Sequence, residues 1–210
     1  MKLTGNPKVY IVSYVTKSMP KKLPKMKIME LNEASHKIQW WFFSYPDREF
    51  GLNDLTEALK ISKTTANRVV HQLVDEGFLN LEVIGNIWRI SCNKDHLYNY
   101  SRKISYNLSM VYESAIMGLI HEIVPNSRVI ILFGSYRKGD DNENSDIDIA
   151  VEVLDNKDLR IENLGILPEF GFRKNVQVTL HIFSRNKIDL NLFANIANGI
   201  VLEGLLEVSS

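Results

Sequence analysis

Apolar residues recur at helical spacing through the first half of the chain and predict three helices there. Pro46 ends the first helix, and Asn53 is a plausible N-cap for a short second helix through Lys60. Ser62 is a plausible N-cap for the third helix, and Gly77 suits its end. The residues expected to face inward are Ile38, Trp41, Phe42, Tyr45, Leu55, Ala58, Leu59, Ile61, Ala66, Val69, Val70, Leu73 and Val74.

The pattern changes from helices to strands after Gly77. Phe78–Val83 and Ile87–Ser91 are predicted strands, and the glycine-containing segment 84–86 predicts a tight turn between them. Three helices followed by a hairpin over residues 35–93 resemble a winged helix-turn-helix domain. The segment ALKISKTTANRVVHQLVDEGFL carries that resemblance.

The resemblance implies that Ser62–Glu76 is a DNA-recognition helix and that the hairpin is the wing. Arg can form two hydrogen bonds to guanine, and Asn or Gln can do the same with adenine, in the major groove. A winged helix that binds another protein is the alternative, because the charge is not strongly basic. The residues expected to contact DNA are Lys63, Thr64, Thr65, Asn67, Arg68, His71, Gln72 and, near the wing, Arg89.

Residues 1–34 form an N-terminal extension before the first helix. Lys8–Thr16 and Lys25–Leu31 are candidate short strands within it. The lysines between residues 17 and 27 belong either to a solvated loop or to an arm that contacts phosphates.

Residues 94–124 predict one long connecting helix. Its apolar stripe either packs on the C-terminal part of the chain or pairs with a second copy to form a homodimer. The stripe consists of Ile104, Leu108, Val111, Ala115 and Leu119.

Residues 125–210 change to an α/β pattern. Val129–Phe133, Ile147–Val153 and Val176–Phe183 are predicted strands, and residues 187–203 are a predicted helix. We therefore expect an α/β (α+β) fold, in which a winged helix precedes a small mixed-sheet domain.

The composition shows an uneven distribution of charge along the chain and indicates the cellular compartment. Residues 1–93 carry 13 Lys and Arg against 9 Asp and Glu, whereas residues 94–210 carry 12 against 16. This asymmetry suggests two parts with different partners.

Cys92 is the only cysteine, so an internal disulfide is excluded, and no apolar run approaches the ~18 residues of a membrane span. We expect a soluble cytoplasmic protein that does not bind membranes.

The most specific motif follows the first strand of the C-terminal part. Gly134-Ser135 is followed by ten residues, 136–145, and then by Asp146-Ile147-Asp148 on the next strand. Strand side chains alternate, so Asp146 and Asp148 share one face. Mg²⁺ is commonly held by one or two carboxylates together with substrate phosphates. Glycine lets a phosphate approach the backbone, and a helix that opens at Ser135 would point its amides at the same phosphates.

This motif resembles the minimal nucleotidyltransferases of the polymerase-beta superfamily over roughly residues 105–205. The resemblance implies that Asp146 and Asp148 are catalytic and bind Mg²⁺ or Mn²⁺. It implies attack of an acceptor hydroxyl on the α-phosphorus of a nucleoside triphosphate, with loss of pyrophosphate. The residues that it implies for phosphate binding are Gly134, Ser135, Lys138 and Arg137.

The family also has a third carboxylate on a later strand, and this chain departs from that pattern. The polar face of the matching strand carries Gln177, Thr179 and His181 and no acid. His181 either accepts a proton or binds the metal, or it is a histidine on the solvent side. Gln177 is the other candidate for a third site residue.

Two other acids are less suited to the third position. Glu152 has the same strand parity as the two aspartates but lies roughly 13 Å beyond Asp148, at ~3.3 Å per residue. Glu169 lies in a predicted loop, Gly165–Gly171, and nothing in the sequence brings it to the site.

Three functions are consistent with the sequence. The leading hypothesis is a metal-dependent nucleotidyltransferase tethered to a DNA-binding winged helix. The second is a transcriptional regulator whose nucleotidyltransferase fold senses a nucleotide without transferring it. The third is an antitoxin-like protein that binds a partner.

Overall fold

The first part of the fold combines three helices with a small antiparallel sheet. The computed structural model describes residues 33–207, so the candidate strands Lys8–Thr16 and Lys25–Leu31 lie outside it. β3 lies between β1 and β2 in the sheet. The elements are α1 (Glu33–Ser44), β1 (Glu49–Phe50), α2 (Leu52–Leu59), α3 (Lys63–Asp75), β2 (Leu79–Ile84) and β3 (Ile87–Cys92).

Side-chain caps determine where α2 and α3 begin. The Ser62 hydroxyl accepts a hydrogen bond from the Thr65 amide at 3.1 Å, so the predicted cap of α3 is confirmed. The predicted cap of α2 at Asn53 is wrong, because Asn53 lies inside the first turn. Gly51 is the N-cap, and its amide donates a hydrogen bond to the Asp54 carboxylate at 2.8 Å. An acid at the third helical position therefore selects an earlier start.

The inward faces of these helices form one core. Ile38, Leu55 and Val69 have no exposed surface, which agrees with the predicted stripes. Ala58 was expected to face inward but is exposed, whereas Phe43, outside the predicted stripe, is buried. Full burial of one such large aliphatic or aromatic side chain contributes about 1.5–3 kcal/mol.

The connecting region is not the single helix that its periodicity predicts. A 3-10 turn (Leu97–Tyr100) precedes α4 (Arg102–Glu113), and α5 (Ile116–Ile123) follows after a break. Ser114 has extended dihedral angles, φ −82° and ψ 172°, and its hydroxyl accepts a hydrogen bond from the Ile116 amide. The serine side chain thus replaces the helical hydrogen bond that a continuous helix would need.

The break shifts the buried stripe by one residue. Val111 is buried as expected, but Ile116 and Ile120 are buried in place of Ala115 and Leu119. Val111, Ile116 and Ile120 belong to the same core as the C-terminal sheet. The connecting region therefore packs on the C-terminal part, which was one of the two expected arrangements.

The C-terminal part is a five-stranded mixed sheet in the order β6-β7-β5-β4-β8. β5 and β7 are parallel, and the other neighbouring pairs are antiparallel. This mixture of helices and sheet agrees with the expected α/β class. The elements are β4 (Val129–Phe133), α6 (Gly134–Lys138), β5 (Ile147–Glu152), β6 (Arg160–Phe170), β7 (Arg173–Phe183), α7 (Leu190–Ala197) and β8 (Ile200–Gly204).

Two predictions for this part are wrong. The segment Gly165–Gly171 is not a loop, because residues 160–170 form the edge strand β6, with Glu169 on it. An edge strand tolerates Pro168, whose missing amide needs no partner there.

The predicted helix 187–203 is also wrong, because α7 ends at Ala197 and β8 follows. A Cβ atom on Gly199 would lie 2.4 Å from Ile131 Cγ2 and 2.7 Å from the Leu132 carbonyl oxygen. The glycine lets the chain approach β4, with which β8 then pairs.

Within residues 33–207, none of the helices combines the length and the apolar character needed to cross a membrane.

Candidate active site

Asp146 and Asp148 lie where β5 begins, at one end of the sheet. Asp148 is next to Phe133 of β4 and next to Thr179 of β7 in the strand register. Ile147 is fully buried, whereas the Asp148 side chain is 32% exposed and Asp146 is exposed. The predicted alternation, with both carboxylates on the face opposite Ile147, is therefore confirmed.

Gly134 brings the backbone against the Asp148 carboxylate. Its φ is +72°, and a Cβ atom added to it would lie 2.6 Å from Asp148 Oδ2. Both the dihedral angle and the close approach require glycine. Gly134 begins the short helix α6, one residue before the start considered from the sequence, and Ser135 follows in its first turn. Arg137 is half-buried and Lys138 is exposed on this helix.

A Gly134→Ala variant is expected to lose about 1–3 kcal/mol of unfolding free energy, because alanine is strained at this φ and contacts Asp148. Chemical denaturation measures the change. Gly118→Ala is the matched control, because Gly118 lies within α5 and an added Cβ would meet no atom within 4 Å. That control is expected to be neutral or up to about 1 kcal/mol more stable. Equal effects in the two variants would contradict the role of the turn.

The polar face of β7 contacts both aspartates. Gln177 Nε2 donates a hydrogen bond to Asp146 Oδ2 at 3.3 Å, and His181 Nε2 lies 3.4 Å from Asp148 Oδ1. The ring of His181 packs edge-on against Phe133, and its side chain is only 12% exposed. A His181 on the solvent side, one of the two expected alternatives, is therefore wrong.

In the part of the chain that the structure describes, no acid completes the pair of aspartates. Among residues 33–207 there is no group of three or more His, Cys, Asp or Glu side chains that could hold a metal ion. Glu152 is buried and forms an ion pair with Arg185 at 2.9 Å, and Glu169 lies beside Lys174 near the β6–β7 turn. The structure thus places Gln177 and His181, and neither glutamate, beside the aspartates.

A buried polar network supports the loop between α6 and Asp146. Asp141 is 2% exposed, forms an ion pair with Lys103 at 3.4 Å, and accepts a hydrogen bond from Asn107 at 2.7 Å. Burial raises the pKa of the Asp141 carboxyl and lowers the pKa of the Lys103 ammonium. The sequence did not single out this network, because Asp141 lies in an acidic loop whose pattern does not distinguish a buried carboxylate from solvated ones.

The residues predicted to contact DNA differ in their freedom to do so. Lys63, Thr64 and Arg68 are exposed on α3, as is Arg89 on β3, and Asn67 is half-buried. The remaining candidates make contacts within the protein. These are Thr65 with the Ser62 hydroxyl, Gln72 with the Glu76 carboxylate, and exposed His71 with the Trp88 ring.

The tip of the β2–β3 hairpin is apolar, a feature that the predicted strands and turn do not indicate. Val83, Ile84 and Ile87 are 54%, 47% and 66% exposed. The hairpin tip therefore offers a small aliphatic surface and no basic side chain.

Comparison with known proteins supports the class of protein that this site suggests. Residues 119–203 match the family model described as "Polymerase beta, Nucleotidyltransferase". The matched segment contains Gly134, Asp146, Asp148 and the polar face of β7, which supports a place in the nucleotidyltransferase superfamily for this part of the chain.

One relative can be named among characterised proteins. The chain is 41% identical over 51 residues to Protein adenylyltransferase MntA of Shewanella oneidensis, a match that covers 24% of this chain and 37% of the relative. The chain thus matches little more than a third of that relative's length. No solved structure matches the chain significantly.

Proposed function

We propose that this protein is a metal-dependent nucleotidyltransferase whose N-terminal part is a DNA-binding winged helix. The observation that carries the proposal is the contact between the Gly134 turn and the Asp148 carboxylate, with Asp146 on the same face. In this proposal a triphosphate binds at the Gly134 turn, beside the two acids. The family match over residues 119–203 supports the same class of reaction.

The residues present fit a divalent cation that substrate phosphates help to hold. Two carboxylates on one strand face are a common donor set for Mg²⁺ when a nucleotide supplies the remaining oxygens. When bound, Mg²⁺ or Mn²⁺ would be held by Asp146 and Asp148 and would neutralise charge on the phosphates. Ser135, Lys138 and Arg137 bind the phosphates in this proposal.

The proposed reaction transfers a nucleoside monophosphate. The oxygen of an acceptor hydroxyl bonds to the α-phosphorus, the bond from that phosphorus to the bridging oxygen breaks, and pyrophosphate leaves. The hydroxyl proton passes to water or to His181. Because His181 Nε2 already faces Asp148, a pH profile of a His181→Gln variant distinguishes these two routes.

The name of the matched relative suggests the first substrates to test. MntA is named as a protein adenylyltransferase, so ATP and a protein hydroxyl are the first candidate pair for this chain. Because that match covers only part of each protein, all four nucleoside triphosphates and a DNA acceptor belong in the same experiment.

A transfer assay tests the function. The full chain is incubated with Mg²⁺ or Mn²⁺, a nucleoside triphosphate labelled on the α-phosphate, and lysate proteins or duplex DNA as acceptors. Acid-precipitable label is expected from the α-labelled and not from the γ-labelled nucleotide. Transfer that persists unchanged after Asp146→Ala plus Asp148→Ala would remove this site from the explanation.

DNA binding is proposed from α3. Lys63 is exposed at its first turn and is expected to contact a phosphate. A Lys63→Gln variant is expected to bind a random-sequence duplex more weakly and to lower the slope of log affinity against log salt by about 1. Fluorescence anisotropy measures both quantities. Lys174→Gln is the control, because Lys174 is exposed on the β6–β7 hairpin. Equal salt slopes in both variants would contradict the assignment.

A nucleotide-sensing regulator is the second candidate function. Gln177 and His181 lie beside the aspartates where the family has an acid, and this favours nucleotide binding without turnover. Adding a nucleoside triphosphate should then change affinity for DNA while no label is transferred. Affinity that does not respond to nucleotide would exclude this candidate.

An antitoxin-like role, in which the protein binds a partner protein, is the third candidate. The exposed aliphatic tip formed by Val83, Ile84 and Ile87 favours a protein partner over a phosphate backbone for this hairpin. Co-purification that is lost in an Ile87→Ser variant would support it.

A further inference from the structure

The loop between α6 and β5, residues 139–146, ends at Asp146 and so determines where this carboxylate lies. Its beginning is held by Gly139, where an added Cβ would lie 1.9 Å from the Asn99 carbonyl oxygen. Its middle is held by buried Asp141, which accepts a hydrogen bond from Asn107. Its last residues are held by different hydrogen bonds, which come from a side chain of β7.

Arg173 is the first residue of β7 and is only 5% exposed. One terminal nitrogen, NH2, donates hydrogen bonds to the carbonyl oxygens of Glu143 at 3.1 Å and of Ser145 at 2.7 Å. The other, NH1, donates to the Tyr136 hydroxyl. Ser145 immediately precedes Asp146, and Tyr136 comes two residues after Gly134. One guanidinium therefore contacts both segments that build the candidate active site.

The chemistry of these contacts requires arginine. The planar guanidinium donates in several fixed directions at once, whereas a lysine ammonium is a compact charge on a flexible stem. The acceptors are two backbone carbonyls and a phenol. The buried Asp141 carboxylate interacts electrostatically with Arg173 but is not one of these acceptors. A buried cation is costly unless hydrogen bonds and nearby opposite charge offset its desolvation, so the hydrogen bonds that Arg173 donates to both segments are needed in the folded state.

We propose that Arg173 is a positioning residue that orders residues 143–146 and the Gly134 turn, and so holds Asp146 and Asp148 in the geometry that binds metal and nucleotide. Its effect on transfer rests on the proposed function, but its effect on loop order does not.

The experiment compares Arg173→Lys with wild type in the full chain. Hydrogen–deuterium exchange over peptides that cover residues 140–148 is expected to speed up about tenfold or more in the variant, because the Glu143 and Ser145 carbonyls lose their common donor. Affinity for Mn²⁺ in the presence of ATP is expected to fall about tenfold to a hundredfold, as for other groups that orient metal ligands. Where transfer is observed, kcat should fall more than KM rises.

Arg160→Lys is the matched control. Arg160 lies on the neighbouring strand β6 and pairs with Asp155 at the surface, so the same chemical change is expected to leave exchange at residues 140–148 unaltered. Tyr136→Phe is a second variant that keeps Arg173 and removes one acceptor. It is expected to raise exchange at residues 133–138, and it decides the question if Arg173→Lys does not fold.

The outcomes separate this proposal from the proposed function. Unchanged exchange at residues 140–148 in a folded Arg173→Lys variant overturns the proposal, whatever the activity. Faster exchange with unchanged Mn²⁺ affinity and unchanged kcat also overturns it, because a merely structural arginine behaves in that way. Wild-type protein that neither binds Mn²⁺ nor transfers nucleotide sinks the proposed function, while the exchange comparison still decides whether Arg173 orders the loop.

Discussion

An Asp148→Asn variant is expected to lose nucleotidyl transfer by about a hundredfold to a thousandfold while it remains folded. Asparagine keeps the shape of the side chain and removes the negative charge. The charge matters here because Asp148 lies between the Gly134 backbone and His181, at the end of the sheet where the triphosphate is proposed to bind. Its loss removes one of two proposed metal ligands.

Label transfer and denaturant unfolding together check this prediction. Asp158→Asn is the control, because Asp158 is exposed in the β5–β6 loop and its loss should change neither quantity. Equal transfer by Asp148→Asn and the control would exclude Asp148 as a ligand. A large loss of unfolding free energy in Asp148→Asn alone would show that Asp148 acts through the fold instead.

Local patterns in the sequence were sufficient to predict the core of the candidate site. The position of Gly134 after an apolar strand and the alternation around Ile147 are short-range features, and both were confirmed. The contacts of Gln177 with Asp146 and of His181 with Asp148 depend on the register between β5 and β7. That register is set by packing across the sheet, so strand parity predicted only which face the β7 residues share.

The failures have equally specific causes. The apolar periodicity predicted one continuous helix across Ser114. A serine hydroxyl can replace a backbone acceptor and so end a helix, as it does here. The helix predicted for residues 187–203 included Gly199. In the structure Gly199 lies against β4, where a side chain would clash, and this tertiary contact is not visible in the local pattern. Residues 165–171 were expected to form a loop, because the sequence pattern does not indicate that this segment lies at a sheet edge.

The turn after α1 contacts the loop of residues 139–146, which ends at Asp146. Asp47, after α1, forms an ion pair with Lys94 and accepts a hydrogen bond from Asn142, both at the protein surface. Arg48 pairs with Glu143 at 2.8 Å. Exposed contacts of this kind are worth about 0–1 kcal/mol each. These surface contacts therefore couple the N-terminal part only weakly to the loop, whose position depends mainly on the buried contacts of Asp141 and Arg173.

The buried pair below that loop carries the largest expected effect on stability. Lys103 and Asp141 are 1% and 2% exposed, and Lys103 also donates a hydrogen bond to the Asp141 carbonyl oxygen. Removal of one member leaves the other charge buried without its partner, so Lys103→Met and Asp141→Asn are each expected to cost about 3–5 kcal/mol. The double variant is expected to cost clearly less than the sum, because it leaves no isolated charge.

The pH dependence of these costs separates an ion pair from simple loss of packing. Lys103 opposes the rise in the pKa of buried Asp141, so Lys103→Met raises that pKa further. A group with a raised folded-state pKa gives full stability at low pH and loses it as pH rises, so the deficit of Lys103→Met should shrink toward acid. Asp141→Asn depresses the pKa of Lys103 further, so its deficit should shrink toward alkaline pH.

Urea unfolding across the pH range in which the wild type remains folded measures both trends. Lys37→Met with Glu33→Gln supplies the exposed comparison, a pair four residues apart on α1 that should contribute no more than about 0.5 kcal/mol. Additive costs in the Lys103 and Asp141 double variant would exclude a stabilising ion pair. Parallel pH slopes in the two single variants would instead assign their costs to packing, because only an isolated buried charge makes the slopes diverge.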